Sequence, residues 1–325
     1  MSLSTSNFNR ELKVIMAVIC LLGLMELGIR FFQERLSVDI QHIKGIPQIL
    51  NNLGNSKGKH ILFLGNSLTR EGIDLEVFRH IWKIQGGTAA SFQRVNPDDT
   101  TMLDWYYLFR YIIGPGHVPI DLVVVGFVRN QLSDQNTLHV DRLGGYFGGL
   151  AAMTEAFTCD IFNMGDRVDF LLSAVSRFYS NRERIKNVLL SMIPAYRESA
   201  QALNRAINNR SQDSRSTPHK YERLTRLLTY ARERRTKMVF VAMPLPESYK
   251  ITDDLRGAIV SAGGILLDCR SIDGLNPGDY TDGFHLSRRG AKIYSTRLAQ
   301  EILGQTQPQE MLKIQSTLPP PGHLQ

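Results

Sequence analysis

The chain has 325 residues, of which 43% are hydrophobic and 21% are charged, and its formal net charge is +7. This is an ordinary globular composition, which excludes a chain that is disordered throughout. The length leaves room for one large α/β domain after an N-terminal segment and a connector.

The first predicted element is an apolar helix near the N-terminus. Val14 to Phe32 contains only two charged residues, Glu26 and Arg30, whose spacing of four would let them pair on a helix. We expect residues 1–36 to form an uncleaved membrane anchor, because no small-x-small cleavage site follows the apolar core. A cleaved signal peptide and an amphipathic helix of a soluble protein remain alternatives, since the strictly uncharged core is shorter than the roughly 20 residues of a full span. Basic residues flank both ends, so the positive-inside rule does not decide the orientation.

Five short apolar runs follow the connector, which is expected at residues 37–58. Such runs are typical of parallel strands that are buried on both faces. They are His60–Leu64, Ala90–Val95, Leu122–Gly126, Met238–Met243 and Ile265–Asp268. Helical patterns separate them, which predicts a doubly wound parallel five-stranded sheet in a catalytic domain over residues 59–304. Its site is expected at the carboxyl ends of the strands.

The stretch between the third and fourth strands is too long for one crossover helix. Leu171, Leu172, Val175 and Phe178 recur at helical spacing, so we predict a helical insertion at about residues 139–237. Such an insertion could cover the active site and shape an acyl or glycan pocket. A packing appendage or an oligomer contact is the alternative.

Basic charge is concentrated in the same region. Residues 182–237 hold 14 Lys and Arg against 5 Asp and Glu, so the basicity is local. Anionic lipid head groups or an acidic polysaccharide are candidate partners, and solvated helix faces are the simpler interpretation. Nucleic acid is not expected, because no reading motif is present. The polar, Pro-rich tail over residues 305–325 is predicted to be disordered. Cys159 and Cys269 are one possible disulfide pair, which the sequence alone does not establish.

Two short segments carry the chemistry. The first strand is followed by Gly65-Asn66-Ser67-Leu68, and Asp282-Gly283-Phe284-His285-Leu286 precedes the last predicted helix. Ser67, His285 and Asp282 would supply a nucleophile, a general base and a carboxylate that orients the base. The alternative is that Ser67 caps the following helix, and that Asp282 and His285 form an exposed turn with Ser287 capping the last helix.

These segments resemble the first and last sequence blocks of the GDSL/SGNH hydrolase superfamily, with Asn66 where that family usually has aspartate. The Gly-x-Ser-x-Gly elbow of the α/β-hydrolases is absent, because Thr69 stands at its second glycine. The resemblance implies a flavodoxin-like SGNH fold and ester hydrolysis by Ser67, Asp282 and His285. We expect no cofactor, and no metal either, because the histidines show no metal-ligand spacing with cysteines or carboxylates.

The resemblance also implies an oxyanion hole. Its donors would be the Ser67 N–H, the Asn130 side chain after the third strand, and a backbone N–H in the loop after the second strand. Asn130 lacks the family's flanking glycine and aspartate, and the loop lacks the family's glycine. A backbone N–H of Asp99 or Thr100 could still donate, because an oxyanion hole needs donors rather than a particular side chain.

The sequence therefore predicts a membrane-anchored serine esterase whose catalytic domain lies outside the cytoplasm. Its expected substrate is an O-acyl ester on an envelope glycan or lipid, cleaved through an acyl-enzyme. An O-acyltransferase with the same triad is one alternative. A non-catalytic scaffold in envelope polysaccharide assembly is another, which the missing glycines favour.

Overall fold

The computed structural model describes residues 5–116, 118–193 and 219–306. The predicted tail lies outside these ranges from residue 307 onward. The chain divides into two compact units. We call Leu50–Asn96, His117–Gln131 and Leu228–Gln325 the sheet unit, and Met1–Ile49, Pro97–Gly116 and Leu132–Leu227 the helical unit.

The sheet unit contains a five-stranded parallel sheet. Its strands are β1 (Lys59–Leu64), β2 (Ala90–Val95), β3 (Leu122–Phe127), β4 (Lys237–Ala242) and β5 (Ile265–Asp268), in the order β2-β1-β3-β4-β5. The predicted doubly wound parallel sheet is confirmed, with strand ends that shift by one residue in β1, β3 and β4. The strand order reverses direction between β1 and β3, which is where open α/β sheets bind their ligands.

Thirteen helices lie in the described part of the chain. They are α1 (Thr5–Phe32), α2 (Val38–Gly54), α3 (Ser67–Gly72), α4 (Leu75–Ile84), α5 (Met102–Leu108), α6 (Val140–Arg142), α7 (Met153–Cys159), α8 (Met164–Val175), α9 (Arg177–Ser180), α10 (Arg182–Ser191), α11 (Glu222–Glu233), α12 (Asp253–Ser261) and α13 (Arg288–Thr306). Short 3₁₀ turns occur at Gln33–Arg35, Gly149–Ala152 and Pro277–Asp279, and π-helical turns at Phe109–Ile113 and Leu143–Phe147.

Apolar side chains fill one face of the sheet. The rings of Phe63 on β1, Phe92 on β2 and Phe78 on α4 meet edge to face, with centroids 5.0 and 5.2 Å from that of Phe78. Tyr294 and Leu298 of α13 are fully buried in the same core cluster. This packing holds α4 and α13 against that face, and α13 begins directly after the segment that carries His285.

A buried arginine ties together three helices of the helical unit. Arg223 of α11 is only 3% exposed and pairs with Asp160 at 2.6 Å and with Glu155 of α7 at 3.1 Å. Its guanidinium also stacks on Tyr106 of α5, 4.7 Å from the ring centroid. A buried charge of this kind is tolerated because carboxylates and an aromatic face replace its water.

The two cysteines that the sequence offered as a possible pair are both free thiols. Cys269 is buried in the core of the sheet unit, and burial raises the pKa of its thiol to about 12. Cys159 ends α7 in the helical unit. The disulfide suggested by the cysteine count is not formed.

Candidate active site

The serine segment begins where β1 ends, and two glycines allow α3 to start there. A Cβ on Gly65 would lie 2.0 Å from the Thr69 hydroxyl oxygen, and one on Gly126 would lie 2.5 Å from the same atom. Thr69 of α3 therefore occupies the space that these side chains would need. Gly65 directly follows β1 and Gly126 lies within β3. Because neither has a side chain, α3 can approach the sheet closely, and Ser67 is the first residue of α3.

Asn66, and not Ser67, caps α3. The Asn66 backbone is extended and its Oδ1 accepts a hydrogen bond from the Leu68 N–H at 3.0 Å. The alternative in which Ser67 is merely the cap is therefore wrong. The Ser67 hydroxyl is directed to a different partner.

Asp282 and His285 form a tight turn before α13. Gly283 has φ +86°, a left-handed conformation that suits glycine. Asp282 Oδ1 accepts from the backbone N–H groups of Phe284 at 3.1 Å and His285 at 2.9 Å. The other carboxylate oxygen lies 2.7 Å from Nδ1 of His285. One carboxylate thus braces the turn and orients the imidazole.

The serine and the histidine meet. His285 Nε2 lies 2.9 Å from Ser67 Oγ. An ionised carboxylate only accepts hydrogen bonds, so Asp282 assigns the ring proton to Nδ1 and leaves Nε2 to accept from the Ser67 hydroxyl. The three side chains have the geometry that makes a serine hydroxyl nucleophilic.

The ionisation of Asp282 is favoured by its surroundings. Partial burial raises the pKa of its carboxyl, but hydrogen bonds from the His285 backbone and ring and from the Phe284 N–H outweigh that effect. The pKa of Asp282 consequently lies below its ordinary value, and the group is charged at neutral pH.

Ser287 serves the turn as the sequence suggested. Its hydroxyl accepts from the Gly290 N–H at 3.2 Å at the start of α13. The capping of α13 and the contact between Ser67 and His285 coexist, so the turn is not an alternative to the triad.

Asn130 lies in the exposed turn after β3, the strand that pairs with β1 in register at Leu64 and Val125. Its neighbour Arg129 is left-handed at φ +50°, donates to Glu247 at 3.0 Å and lies 5.9 Å from the Phe284 ring centroid. The oxyanion role of Asn130 and of the Ser67 N–H stays a prediction.

Asp99 belongs to the helical unit and adopts φ +55°. Its carboxylate lies 3.5 Å from Nε2 of His139, whose Nδ1 lies 2.9 Å from the buried Asp104. Thr100 is buried, and its hydroxyl donates to Pro97 O and accepts from Trp105 Nε1. The backbone donor expected at Asp99 or Thr100 also stays a prediction.

The described ranges contain no group of three or more His, Cys, Asp and Glu residues placed to hold a metal ion.

Two residues that support the site were not predicted. Asn66 could have been recognised as a cap, because asparagine before a helix is among the best N-caps. Thr69 leaves a weaker signal, namely the glycines at positions 65 and 126 against which it packs.

Comparisons with known proteins give distant likenesses. No protein-family model matches the chain, and no curated protein matches it. One similar solved structure is a variant of Axe2, an acetyl-xylooligosaccharide esterase from Geobacillus; it has 12% identity and a TM-score of 0.37, over 77% of this chain and 96% of that one. Another is an Axe2 acetyl xylan esterase variant from Geobacillus stearothermophilus, with 12% identity and a TM-score of 0.35, over 76% of this chain and 95% of that one. Neither likeness is strong enough to assign an activity.

Proposed function

We propose that the chain is a serine ester hydrolase. The observation that carries the proposal is the chain of hydrogen bonds from Ser67 Oγ to His285 Nε2 at 2.9 Å and from His285 Nδ1 to Asp282 at 2.7 Å. The cap at Asn66 strengthens it, because the Ser67 hydroxyl has no capping role that would account for its place.

The reaction follows from these contacts. Ser67 Oγ attacks the ester carbonyl carbon while His285 Nε2 takes the hydroxyl proton. The tetrahedral intermediate collapses, the alcohol leaves with the proton from His285, and the acyl group stays on Ser67. Water then attacks the acyl-enzyme, His285 takes its proton, and the acid leaves as Ser67 regains its hydroxyl hydrogen. The Ser67 N–H and the Asn130 amide would donate to the oxyanion in both halves.

The proposed substrate is an O-acyl ester on an envelope glycan or lipid. It is supported by the N-terminal helix, whose Arg10–Arg35 stretch contains an 18-residue window with a mean hydropathy of 2.3 and is long and apolar enough to cross a membrane. A membrane anchor and a signal sequence both meet that criterion, and the location of the catalytic domain outside the cytoplasm is part of the proposal.

A fluorophosphonate probe tests the nucleophile. The parent chain should be labelled at Ser67 and should hydrolyse p-nitrophenyl acetate, whereas Ser67→Ala should lose both properties with its melting temperature nearly unchanged. Ser287→Ala is a matched control in the same unit, because that serine caps α13. It should keep its labelling while losing about 1 kcal/mol of stability. Full turnover by Ser67→Ala would overturn the proposal.

The same assay separates hydrolysis from acyl transfer. An acyl-enzyme can be resolved by water or by a sugar hydroxyl. Turnover is therefore measured with and without a glycan acceptor, and the products are identified by mass spectrometry. Release of the free acid at an unchanged rate supports the hydrolase. Transfer of the acyl group to the glycan would assign the transferase instead. Absence of fluorophosphonate labelling at Ser67 would favour the non-catalytic scaffold.

A further inference from the structure

Helix α8 is apolar on two sides. Phe170 and Ser173 are fully buried and point into the helical unit, where the Phe170 ring packs 5.3 Å from that of Phe157. The other side is exposed and also apolar. It consists of Met164, Val168, Leu171, Leu172 and Val175, whose exposure ranges from 39% to 70%. We call these five residues the α8 face.

The spacing of these residues makes one continuous stripe. Steps of four, three, one and three residues keep successive side chains on the same side of a helix. The charged residues of α8 lie off the stripe: Arg167 donates to the carbonyl oxygens of Phe157 and Ile161, and Asp169 pairs with Arg182 at 2.9 Å. A contiguous exposed apolar stripe is a common feature of surfaces that bind a membrane or another protein.

The end of the N-terminal helix is tied to the end of α8. Arg30 of α1 donates to the carbonyl oxygen of Val175 at 3.1 Å. Glu26 accepts from the backbone N–H groups of Arg177 and Phe178, at 2.8 and 2.9 Å, and from the Ser176 hydroxyl at 2.8 Å. Val175, the last residue of the α8 face, therefore lies directly beside residues 26–30 of α1.

Residues 26–30 are where the surface of a bilayer would cross α1. The apolar stretch of α1 before Glu26 is exposed to its surroundings along its length, and Phe31 and Phe32 after it are also exposed. Charged side chains of a spanning helix favour the interface, where they reach polar groups. The apolar stripe of α8 ends beside that point and so lies within reach of the interface, where amphipathic helices bind.

We propose that the α8 face docks onto the lipid bilayer that holds α1. The helical unit would then be attached to the membrane at two places, by α1 across the bilayer and by α8 along its surface. The choice of lipid as the occupant rests on the continuity between the α8 face and the end of α1, and it is independent of the serine chemistry.

Quenching of tryptophan fluorescence by brominated phosphatidylcholine tests the proposal on the full chain. The parent has two tryptophans, both buried, so the lipid quencher should not reach them and their emission can be subtracted as a constant background. Leu171→Trp and, separately, Val175→Trp are reconstituted in phosphatidylcholine vesicles with and without brominated acyl chains. The added tryptophan should lose more than half of its emission in the brominated vesicles, because the quencher lies in the acyl region.

Val260→Trp is the matched control. Val260 lies on α12 of the sheet unit and is 59% exposed, so it resembles Val175 in exposure and helical setting. It should not be quenched. Equal quenching at all three positions would indicate non-specific contact with lipid and would overturn the proposal.

The remaining outcomes are also decisive. Absence of quenching at both α8 positions, in variants with parental melting temperature, would overturn the proposal. If the chain extracted from the vesicles into detergent then sediments as a dimer, a second copy covers the α8 face instead. Flotation of each variant with the vesicles after an alkaline carbonate wash confirms that the chain is integrally attached in every sample that is compared.

Discussion

The substitution Asp282→Asn separates the two tasks of this carboxylate. Oδ1 accepts two backbone N–H groups, from Phe284 and His285, and an amide oxygen can continue to do so. The amide nitrogen must then face His285 Nδ1 at the position of Oδ2, where it can only donate. Nδ1 becomes an acceptor, so the ring proton moves to Nε2. An Nε2–H cannot take the proton of Ser67.

The expected loss is large in rate and small in stability. The wrong tautomer should lower kcat by about 10⁴-fold, as for a Ser-His-Asp triad, which corresponds to about 5 kcal/mol of activation free energy. The melting temperature should change little, because both backbone hydrogen bonds are retained. The assay is p-nitrophenyl acetate turnover on samples whose melting curves are recorded in parallel.

Asp282→Ala is the companion variant. It removes the acceptors of both backbone N–H groups, so it should lower both kcat and the melting temperature. His285→Ala should lower kcat at least as much as Asp282→Asn does. If Asp282→Asn kept kcat within tenfold of the parent, Asp282 would only brace the turn, and the triad assignment would be refuted.

Three further predictions address the frame of the site and the helical unit. Gly65→Ala should lower both stability and kcat, since the new Cβ would lie 2.0 Å from the Thr69 hydroxyl; unfolding curves and turnover unchanged from the parent would contradict this. Asn130→Ala should lower kcat by roughly 10²-fold with little change in KM, whereas a turn residue would alter only the melting temperature. Burial lowers the pKa of His139, but hydrogen bonds to carboxylates, chiefly Asp104, raise it to about 9. The stabilisation by this histidine, at most about 3 kcal/mol, should be full below pH 6.5 and lost as the pH rises through 9. The difference in unfolding free energy between the parent and His139→Gln should therefore shrink from pH 6 to pH 10, and a constant difference would refute the ion pair.

The sheet could be predicted because its strands are buried on both faces and read as unbroken apolar runs. Strand ends were less predictable, since the partner strand sets them. β4 begins at the charged Lys237, which pairs with Leu122, and ends at Ala242 opposite Phe127. The apolar run Met238–Met243 predicts a strand that begins after Lys237 and includes Met243. The register of β4 against β3 instead places both ends of the strand one residue earlier.

The candidate triad could be proposed from residue types and chain order, but the cap could not be assigned. Asparagine and serine are comparable N-caps, and they stand side by side at positions 66 and 67. A helix that began one residue later would have used Ser67 and withdrawn its hydroxyl from His285. The fit of Thr69 against Gly65 and Gly126 favours the earlier start, and that fit depends on the pairing of β1 with β3.

The role of Glu26 was beyond the reach of the sequence for a different reason. Its spacing predicted the pair with Arg30, which forms at 2.7 Å. The partners that explain a carboxylate in an apolar helix lie some 150 positions away, at the start of α9. The first N–H groups of a helix have no partner within it, and Glu26 accepts from two of them. A chain cleaved before α9 folds against α1 would leave these groups without their acceptor. A removed segment could not make this contact, and the anchoring of the chain by α1 stays a prediction.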